Sequence, residues 1–163
     1  MAMKFNADEV LEMAVRIEND GAAFYRTAAE KKKDSESVDF LNDLAAMEDA
    51  HAETFSALRG ELSDDEKSGQ SFDPMNEASL YLEAMADSHG GEGAPKAAEA
   101  LTGKESMKEI LDIAIGLEKE SILFYLGLKD MVPERLGKSK LENIIAEERS
   151  HIVTLGNKKK AIS

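Results

Sequence analysis

The chain has 163 residues, of which 42% are hydrophobic, which is enough for one domain with a packed core and argues against global disorder. Its formal net charge is −13, and because nucleic-acid binders show basic faces, DNA or RNA is a poor candidate partner. It contains no Cys, which excludes disulfides, thiolate catalysis and Cys-ligated zinc or iron–sulfur sites. It shows neither a signal-peptide pattern nor an apolar run of about 20 residues, so we expect a cytoplasmic protein that does not span a membrane.

The first predicted helix begins at Asn6, which forms a capping-box pattern with Glu9. Apolar residues then recur at steps of three and four, which is typical of a helix with one face in a core. Glu18 lies in the middle of this apolar stripe. A buried carboxylate is costly unless it is paired or bound to a metal, so Glu18 is a candidate ligand.

The second predicted helix, which ends near Gly60, carries Glu48 and His51 on its apolar stripe. Residues three apart are neighbours on one helix face, so this Glu-x-x-His motif directs a carboxylate and an imidazole to the same point. Residues 61–104 are rich in Asp, Ser and Gly, and they predict a long crossover with one short helix from about Asp73-Pro74. We expect His89, in a Gly-rich loop, to be exposed.

The third predicted helix opens with a second capping box, from Ser106 to Glu109, and has Glu118 in the middle of its stripe. The fourth is predicted from about Lys138 to Leu155. We expect Gly156 to end it and residues 157–160 to form a solvated basic end. Its stripe contains a second Glu-x-x-His motif, Glu148 and His151.

The second half of the chain repeats the first with an offset of 100 residues and no gap, so that Glu18, Glu48 and His51 correspond to Glu118, Glu148 and His151. Such a repeat predicts two similar helical hairpins related by an approximate two-fold axis. Neither hairpin buries its apolar face alone. We therefore predict an all-α four-helix bundle in a single domain, residues 1–163, with hairpins at 6–60 and 105–157 and a crossover at 61–104.

Bundles that hold two iron or manganese ions use two Glu-x-x-His motifs and a lone Glu from each of the other helices. The six residues in question carry four carboxylates, whose charge of −4 two divalent cations would balance. Without metal, some carboxylates would take up protons. Oxygen-rich ligation with one imidazole per metal and no sulfur favours iron or manganese over structural zinc. The alternative is a relic site whose carboxylates form ion pairs or stay protonated.

In this arrangement we expect Glu48 and Glu148 to bridge the two metals. Glu18 with His51 would complete one metal site, and Glu118 with His151 the other. Tyr25 and Tyr125 lie two turns beyond the lone Glu residues, where their hydroxyls could orient the ligands or simply be satisfied within the core. Three other carboxylates fall off the stripes and are predicted to lie at the surface: Glu53, Glu120 and Glu147.

At these residues the sequence resembles the rubrerythrin branch of the ferritin-like di-iron carboxylate superfamily. The resemblance covers almost the whole chain except the crossover. The matching stretches are Ile17-Glu18 with Phe24-Tyr25, Met47-Glu48-Asp49-Ala50-His51, Leu117-Glu118 with Ser121-Ile122-Leu123-Phe124-Tyr125, and Ile144-Ile145-Ala146-Glu147-Glu148-Arg149-Ser150-His151. The resemblance implies a di-iron bundle, usually dimeric, that reduces hydrogen peroxide with electrons from an external donor.

Two features depart from that family pattern. Typical members carry a rubredoxin domain with four Cys, which this sequence lacks, so a separate donor such as a rubredoxin would be needed. Typical members also have an extra Glu one turn after the lone Glu of the third helix, where this chain has Ser121, matched by Gly21 in the first half. This difference makes the predicted site more symmetric and ferritin-like.

The leading hypothesis is therefore a rubrerythrin-type oxidoreductase that holds two iron ions, or manganese or a mixed pair, and reduces hydrogen peroxide or dioxygen. The alternatives are a ferroxidase that handles iron and a non-catalytic bundle stabilised by its metals. We expect a homodimer, and the long crossover would also allow hairpins to exchange between chains in a domain-swapped form.

Overall fold

In the computed structural model, residues 6–68, 77–88 and 96–162 are described, and within them the fold is entirely helical. Four long helices form the bundle: α1 (Ala7–Glu30), α2 (Ser35–Gly60), α6 (Met107–Leu128) and α7 (Glu134–Ile162). Three short helices lie between the two pairs: α3 (Asp64–Ser68), α4 (Glu77–Ser88) and α5 (Ala97–Ala100). The predicted four-helix bundle of two hairpins joined by a long crossover is confirmed, although the crossover carries more than one short helix.

The two predicted capping boxes start α1 and α6. Asn6 accepts a hydrogen bond from the backbone N–H of Glu9 at 2.8 Å, and Glu9 accepts one in return from the backbone of Asn6 at 2.9 Å. Ser106 and Glu109 make the same exchange at 3.1 and 2.7 Å. Each box satisfies two backbone donors that a helix start leaves free, so the two hairpins begin in the same way.

Two apolar clusters fill the two ends of the bundle. One joins the start of α1 and the end of α2 to the end of α6 and the start of α7, with Leu11, Phe55, Phe124 and Leu141 at its centre. The other joins the opposite ends of the same helices and includes Phe24. The middle of the bundle, between the two clusters, is where the polar stripe residues lie.

The prediction that Gly156 ends the last helix is wrong, because α7 continues through Gly156 to Ile162 and also begins earlier than expected, at Glu134. The expected solvated basic end is confirmed only in part, since Asn157 and Lys160 are exposed but the two lysines between them form contacts across the bundle. Lys158 pairs with Glu36 and lies 5.3 Å from the ring centroid of Phe40, and Lys159 pairs with Asp112. These contacts anchor the last turns and offset the cost of about 1 kcal/mol for a glycine inside a helix.

Helix α4 of the crossover packs against α6 of the second hairpin. Tyr81 of α4 donates a hydrogen bond to the backbone carbonyl of Leu123 in α6. A Cβ at Gly127 would lie 2.5 Å from Cδ1 of Tyr81, so the glycine allows α4 to approach α6 closely. His89 and the predicted helix start at residues 73–74 lie outside the described residues.

Candidate metal centre

The six stripe residues meet in the middle of the bundle, one or two from each long helix. Only 0–5% of the surface of each residue is exposed. The helix periodicity explains this burial, because each carboxylate or imidazole lies on the same face as the core residues one turn away. The structure therefore brings together all six residues that the sequence singles out: Glu18, Glu48, His51, Glu118, Glu148 and His151.

Within this cluster, the ligand-type atoms form two overlapping groups, each with all its atoms within 4.8 Å of one another. Glu18 and His51 belong to one group, and Glu118 and His151 to the other. Two carboxylates, Glu48 and Glu148, belong to both. Such an arrangement suits two cations side by side with two carboxylates between them.

Both imidazoles point Nδ1 into the cluster. His51 Nδ1 lies 2.7 Å from Glu148 Oε1 and 3.4 Å from Glu18 Oε2. His151 Nδ1 lies 3.3 Å from Glu48 Oε1 and 3.5 Å from Glu118 Oε1. The two rings are stacked, with centroids 5.7 Å apart and an interplanar angle of 21°, so the two half-sites face each other across the approximate two-fold axis.

Among the described residues, the buried side-chain nitrogen and oxygen atoms without a hydrogen-bond partner all belong to this cluster. They are both Oε atoms of Glu148, one Oε atom each of Glu18 and Glu48, and Nδ1 of His51 and His151. A buried acceptor that makes no well-aligned hydrogen bond costs about 1–3 kcal/mol. Oxygen and imidazole donors that converge without satisfying one another fit a pair of iron or manganese ions.

The charges around the imidazoles favour their protonated form in the metal-free protein. Burial alone would lower the pKa of His51, but the carboxylates of Glu148 and Glu18 outweigh burial and raise the pKa to about 11. Burial likewise opposes protonation of His151, and its carboxylate neighbours, Glu118 first, raise its pKa to about 12. Each imidazolium then supplies positive charge where a cation would bind.

The carboxylates respond in opposite ways to the same surroundings. Burial raises the pKa of Glu118 to about 9, and burial together with the nearby Glu48 raises that of Glu18 well above its usual range. Burial opposes ionisation of Glu148 as well, but the two imidazoles outweigh it and hold its pKa below the usual range. Without metal, protons therefore relieve the repulsion among the carboxylates, and metal binding has to displace those protons.

The two tyrosines bond to the lone Glu residues, but across the bundle rather than along their own stripes. The hydroxyl of Tyr25 in α1 donates to Glu118 of α6 at 2.6 Å, and that of Tyr125 in α6 donates to Glu18 of α1. Burial raises the pKa of both phenols well above the usual value, so they remain donors. Each hairpin thus holds the lone carboxylate of the other.

Sequence reasoning missed one residue that contacts the cluster. Glu147 was expected at the surface, and 60% of its side chain is indeed exposed, yet its Oε2 lies 2.6 Å from Nε2 of His51. Its partner belongs to the other hairpin, so helical periodicity within α7 could not reveal the contact. The one available signal was a difference between the repeats, since the matching residue is Met47.

The position of the extra family carboxylate has a small residue in both halves. Ser121 is buried in α6. A Cβ at the matching Gly21 would lie 3.2 Å from Glu48 Oε2, so the glycine lets that carboxylate lie close against α1. No seventh carboxylate enters from either position.

Comparisons with known proteins agree with this architecture. A sequence model of the family described as Rubrerythrin matches residues 9–88. The crystal structure of a candidate ferritin-like diiron-carboxylate protein from Thermotoga maritima is 27% identical in sequence, with all of both chains covered and a TM-score of 0.77. No curated protein sequence matches significantly. Within residues 6–68, 77–88 and 96–162, no helix has both the length and the apolar character needed to cross a bilayer.

The family match covers α1 and α2, which hold three of the six clustered residues, and the structural match extends over the whole bundle. The family match and the structural match therefore support a rubrerythrin-like member of the ferritin-like superfamily.

Proposed function

We propose that the chain is a di-iron oxidoreductase of rubrerythrin type, which reduces hydrogen peroxide or dioxygen with electrons from an external donor. The observation that carries this proposal is the pair of overlapping, fully buried ligand groups that share Glu48 and Glu148. Manganese or a mixed pair of metals would fit the same oxygen and imidazole donors.

In this proposal Glu18 and His51 hold one metal, and Glu118 and His151 hold the other. Glu48 and Glu148 would contribute a carboxylate to both sites, because each lies in both groups. Four carboxylates and two neutral imidazoles carry a charge of −4, which two divalent cations neutralise. The filled site would therefore be tolerated between two apolar clusters, where an unbalanced charge would not.

When bound, the two iron ions supply the two electrons that, with two protons, convert hydrogen peroxide to two water molecules. The chain itself positions the ligand carboxylates and excludes bulk water from the site. The apolar clusters on both sides keep bulk water from the ligand cluster, and hydrogen bonds from Tyr25 and Tyr125 hold the carboxylates of Glu118 and Glu18 in place. Their hydroxyls also place a proton within hydrogen-bond distance of a ligand carboxylate, at Oε1 of Glu118 and of Glu18.

The electrons have to come from another centre. The 163 residues contain no Cys, so they provide no thiolate-ligated iron that could relay electrons. A separate rubredoxin-like protein is the donor that we propose. All six candidate ligands belong to one chain, so the site needs no residue from a partner; the homodimer, its swapped form and the cytoplasmic location remain predictions.

The test is anaerobic loading with Fe(II), removal of free iron and addition of one equivalent of hydrogen peroxide. We expect two Fe(II) to be oxidised per peroxide, faster than by the same amount of free iron. Glu48→Gln should abolish this reaction, whereas Glu53→Gln, an exposed residue on the same helix, should not. Iron that binds but consumes peroxide no faster than free iron would refute the activity and leave a metal-stabilised bundle.

Ferroxidase activity is a second candidate, favoured by the buried Ser121 where the family has its extra carboxylate. A centre without that carboxylate lacks one anionic oxygen for holding the oxidised pair of ions, so product iron would leave more readily. Supply of excess Fe(II) under air distinguishes the two. Oxidation of many Fe(II) per chain favours the ferroxidase, and oxidation that stops at two per chain favours the peroxide reductase.

A further inference from the structure

Glu147 and His51 form a contact that links the edge of the metal centre to the protein surface. Glu147 Oε2 lies 2.6 Å from Nε2 of His51, whose side chain is only 4% exposed. The carboxylate comes from α7 and the imidazole from α2, so the contact also spans the two hairpins. An ionised carboxylate accepts hydrogen bonds and cannot donate them, so Nε2 of His51 is the donor in this contact.

A donor at Nε2 fixes what the other ring nitrogen does. The metal-free imidazolium carries a proton on both nitrogens. When Nδ1 releases its proton to bind a metal, Nε2 keeps its own proton for Glu147, and the Nδ1 lone pair is directed toward the cluster of Glu18 and Glu148. A carboxylate on the far nitrogen of a ligating histidine holds the ring in place and makes the ligand more basic. Glu147 therefore holds the His51 ring in the orientation that a metal needs, and only the Nδ1 proton has to leave.

His151 has no equivalent support in the part of the chain that the structure describes. Its contacts with carboxylates, to Glu48, Glu118 and Glu148, are all made by Nδ1 on the inner side. The residue that corresponds to Glu147 in the repeat is Met47, which is 48% exposed on α2. A thioether is a weak acceptor without charge. The two halves therefore share the same types of ligand but differ in the residue available to accept a hydrogen bond from Nε2 of the imidazole.

We propose that Glu147 is a positioning residue that makes the His51 half of the centre the tighter metal site, so that the two metals load in order. This inference rests on the proposed metal centre. It assigns the first metal to the group of Glu18 and His51 and the second to the group of Glu118 and His151.

The test is titration of the metal-free protein with Co(II), followed by calorimetry and by the visible absorption of the bound ion. Loss of the group that hydrogen-bonds to a metal-ligating side chain typically costs 10- to 100-fold in metal affinity. We expect Glu147→Met, which copies the first half into the second, to weaken the tighter step by about tenfold or more and leave the weaker step in place. Glu147→Gln, which keeps an acceptor oxygen but not the charge, should lose less.

The reciprocal variant is Met47→Glu, which gives His151 the same kind of partner. It should tighten the weaker step and bring the two affinities together. Two separate binding steps in the parent protein would not by themselves support the role of Glu147, because the first cation always reduces the negative charge that attracts the second. The opposite responses of the two variants carry the test.

A spectroscopic readout identifies the histidine directly. In Zn(II)-loaded protein labelled with ¹⁵N-histidine, we expect the Nε2–H proton of one imidazole to be shifted strongly downfield by its carboxylate partner. His51→Ala and Glu147→Met should both remove that signal, and His151→Ala should leave it.

The inference is overturned if Glu147→Met changes neither step or weakens both steps equally, or if it leaves the downfield proton unchanged. Circular dichroism melting curves should show that both variants fold, since both positions are about half exposed. Failure of the parent protein to bind Co(II) with two ions per chain would instead refute the metal centre itself.

Discussion

The two hairpins of the bundle agree at the candidate ligands and differ around them. Both contribute a lone Glu, a Glu-x-x-His pair and a tyrosine that bonds across the axis. Outside this shell, Arg26 of α1 pairs with Asp49 of α2, whereas the second half has Leu126 and Arg149 at these positions. The duplication was therefore retained where six groups have to converge and was lost where each hairpin has its own neighbours.

The largest expected effect comes from Glu148→Ala, because Glu148 is the carboxylate that lies near both imidazoles, 2.7 Å from His51 and 3.6 Å from His151. Removal of one partner from a buried charge cluster costs about 3–5 kcal/mol. We expect the free energy of unfolding of the metal-free protein to fall by that amount and metal content to fall from two toward zero. Chemical denaturation and elemental analysis measure these changes.

The matched variant is Glu48→Ala. In the contacts described above, the Glu48 carboxylate lies near the imidazole of His151 but not near that of His51. It should destabilise the metal-free protein less than Glu148→Ala does. Equal losses would show that the bridging positions are equivalent in the metal-free state. Glu53→Ala, at an exposed position on α2, is the control and should change little.

The pH dependence tests what the two halves have in common. Their imidazoles have pKa values raised to about 11 and 12, and Glu118 has one raised to about 9. A raised pKa stabilises the fold fully below the unfolded-state value, and this contribution is lost as pH rises toward the folded-state value. The melting temperature of the metal-free protein should therefore fall between pH 5 and pH 9, by about 2–4 °C for each kcal/mol lost.

Metal-loaded protein should show a weaker dependence over the same range, because bound cations replace the protons. The lowered pKa of Glu148 acts only at lower pH, where its protonation removes stability. Calorimetric melting curves at pH 5, 7 and 9, with and without chelator, measure both trends. A metal-free protein that becomes more stable between pH 5 and pH 9 would contradict the proton-filled site.

Gly127→Ala breaks a feature that only the second hairpin has, since the corresponding residue of the first is Thr27. The new Cβ would meet Tyr81 of α4 at 2.5 Å, and overpacking of this kind costs about 1–3 kcal/mol. Gly116→Ala on the same helix meets nothing within 4 Å and should stabilise by about 0.5–1 kcal/mol. Thermal unfolding of the two variants should therefore move in opposite directions.

Tyr25→Phe and Tyr125→Phe test the bonds that cross the axis. Each removes a donor from the lone carboxylate of the other hairpin, for a loss of about 1–2 kcal/mol. Since these bonds are related by the duplication, we expect similar losses of stability and similar weakening of Co(II) binding. A large difference between the two variants would show that the approximate two-fold symmetry does not extend to the tyrosines.

Arg26→Leu has the smallest expected effect, because it copies the Leu126 of the second hairpin into the first. The pair that it removes is about half exposed, and exposed pairs contribute about 0.2–1 kcal/mol. The variant should keep its metal content and lose at most that much stability in chemical denaturation. A loss of metal would show that the six candidate ligands depend on this surface pair, which would contradict the account.

The sequence predicted the bundle, both capping boxes and the convergence of the six residues, because these features follow from helical periodicity and from a repeat without gaps. It failed at Gly156, where ion pairs of Lys158 and Lys159 with the starts of other helices extend α7. It also missed the contact of Glu147 with His51 and the direction of the tyrosine bonds. These features depend on how the two hairpins are packed together, which spacing within one helix does not determine.

The central claim is that two duplicated hairpins build one dinuclear centre. The most direct measurement is loading with ⁵⁷Fe, followed by metal analysis and by Mössbauer and electron paramagnetic resonance spectroscopy of the oxidised protein. We predict two irons per chain whose spins are coupled, so that the oxidised pair gives no paramagnetic resonance signal. One iron per chain, or two irons with the separate signals of isolated ferric ions, would contradict the account.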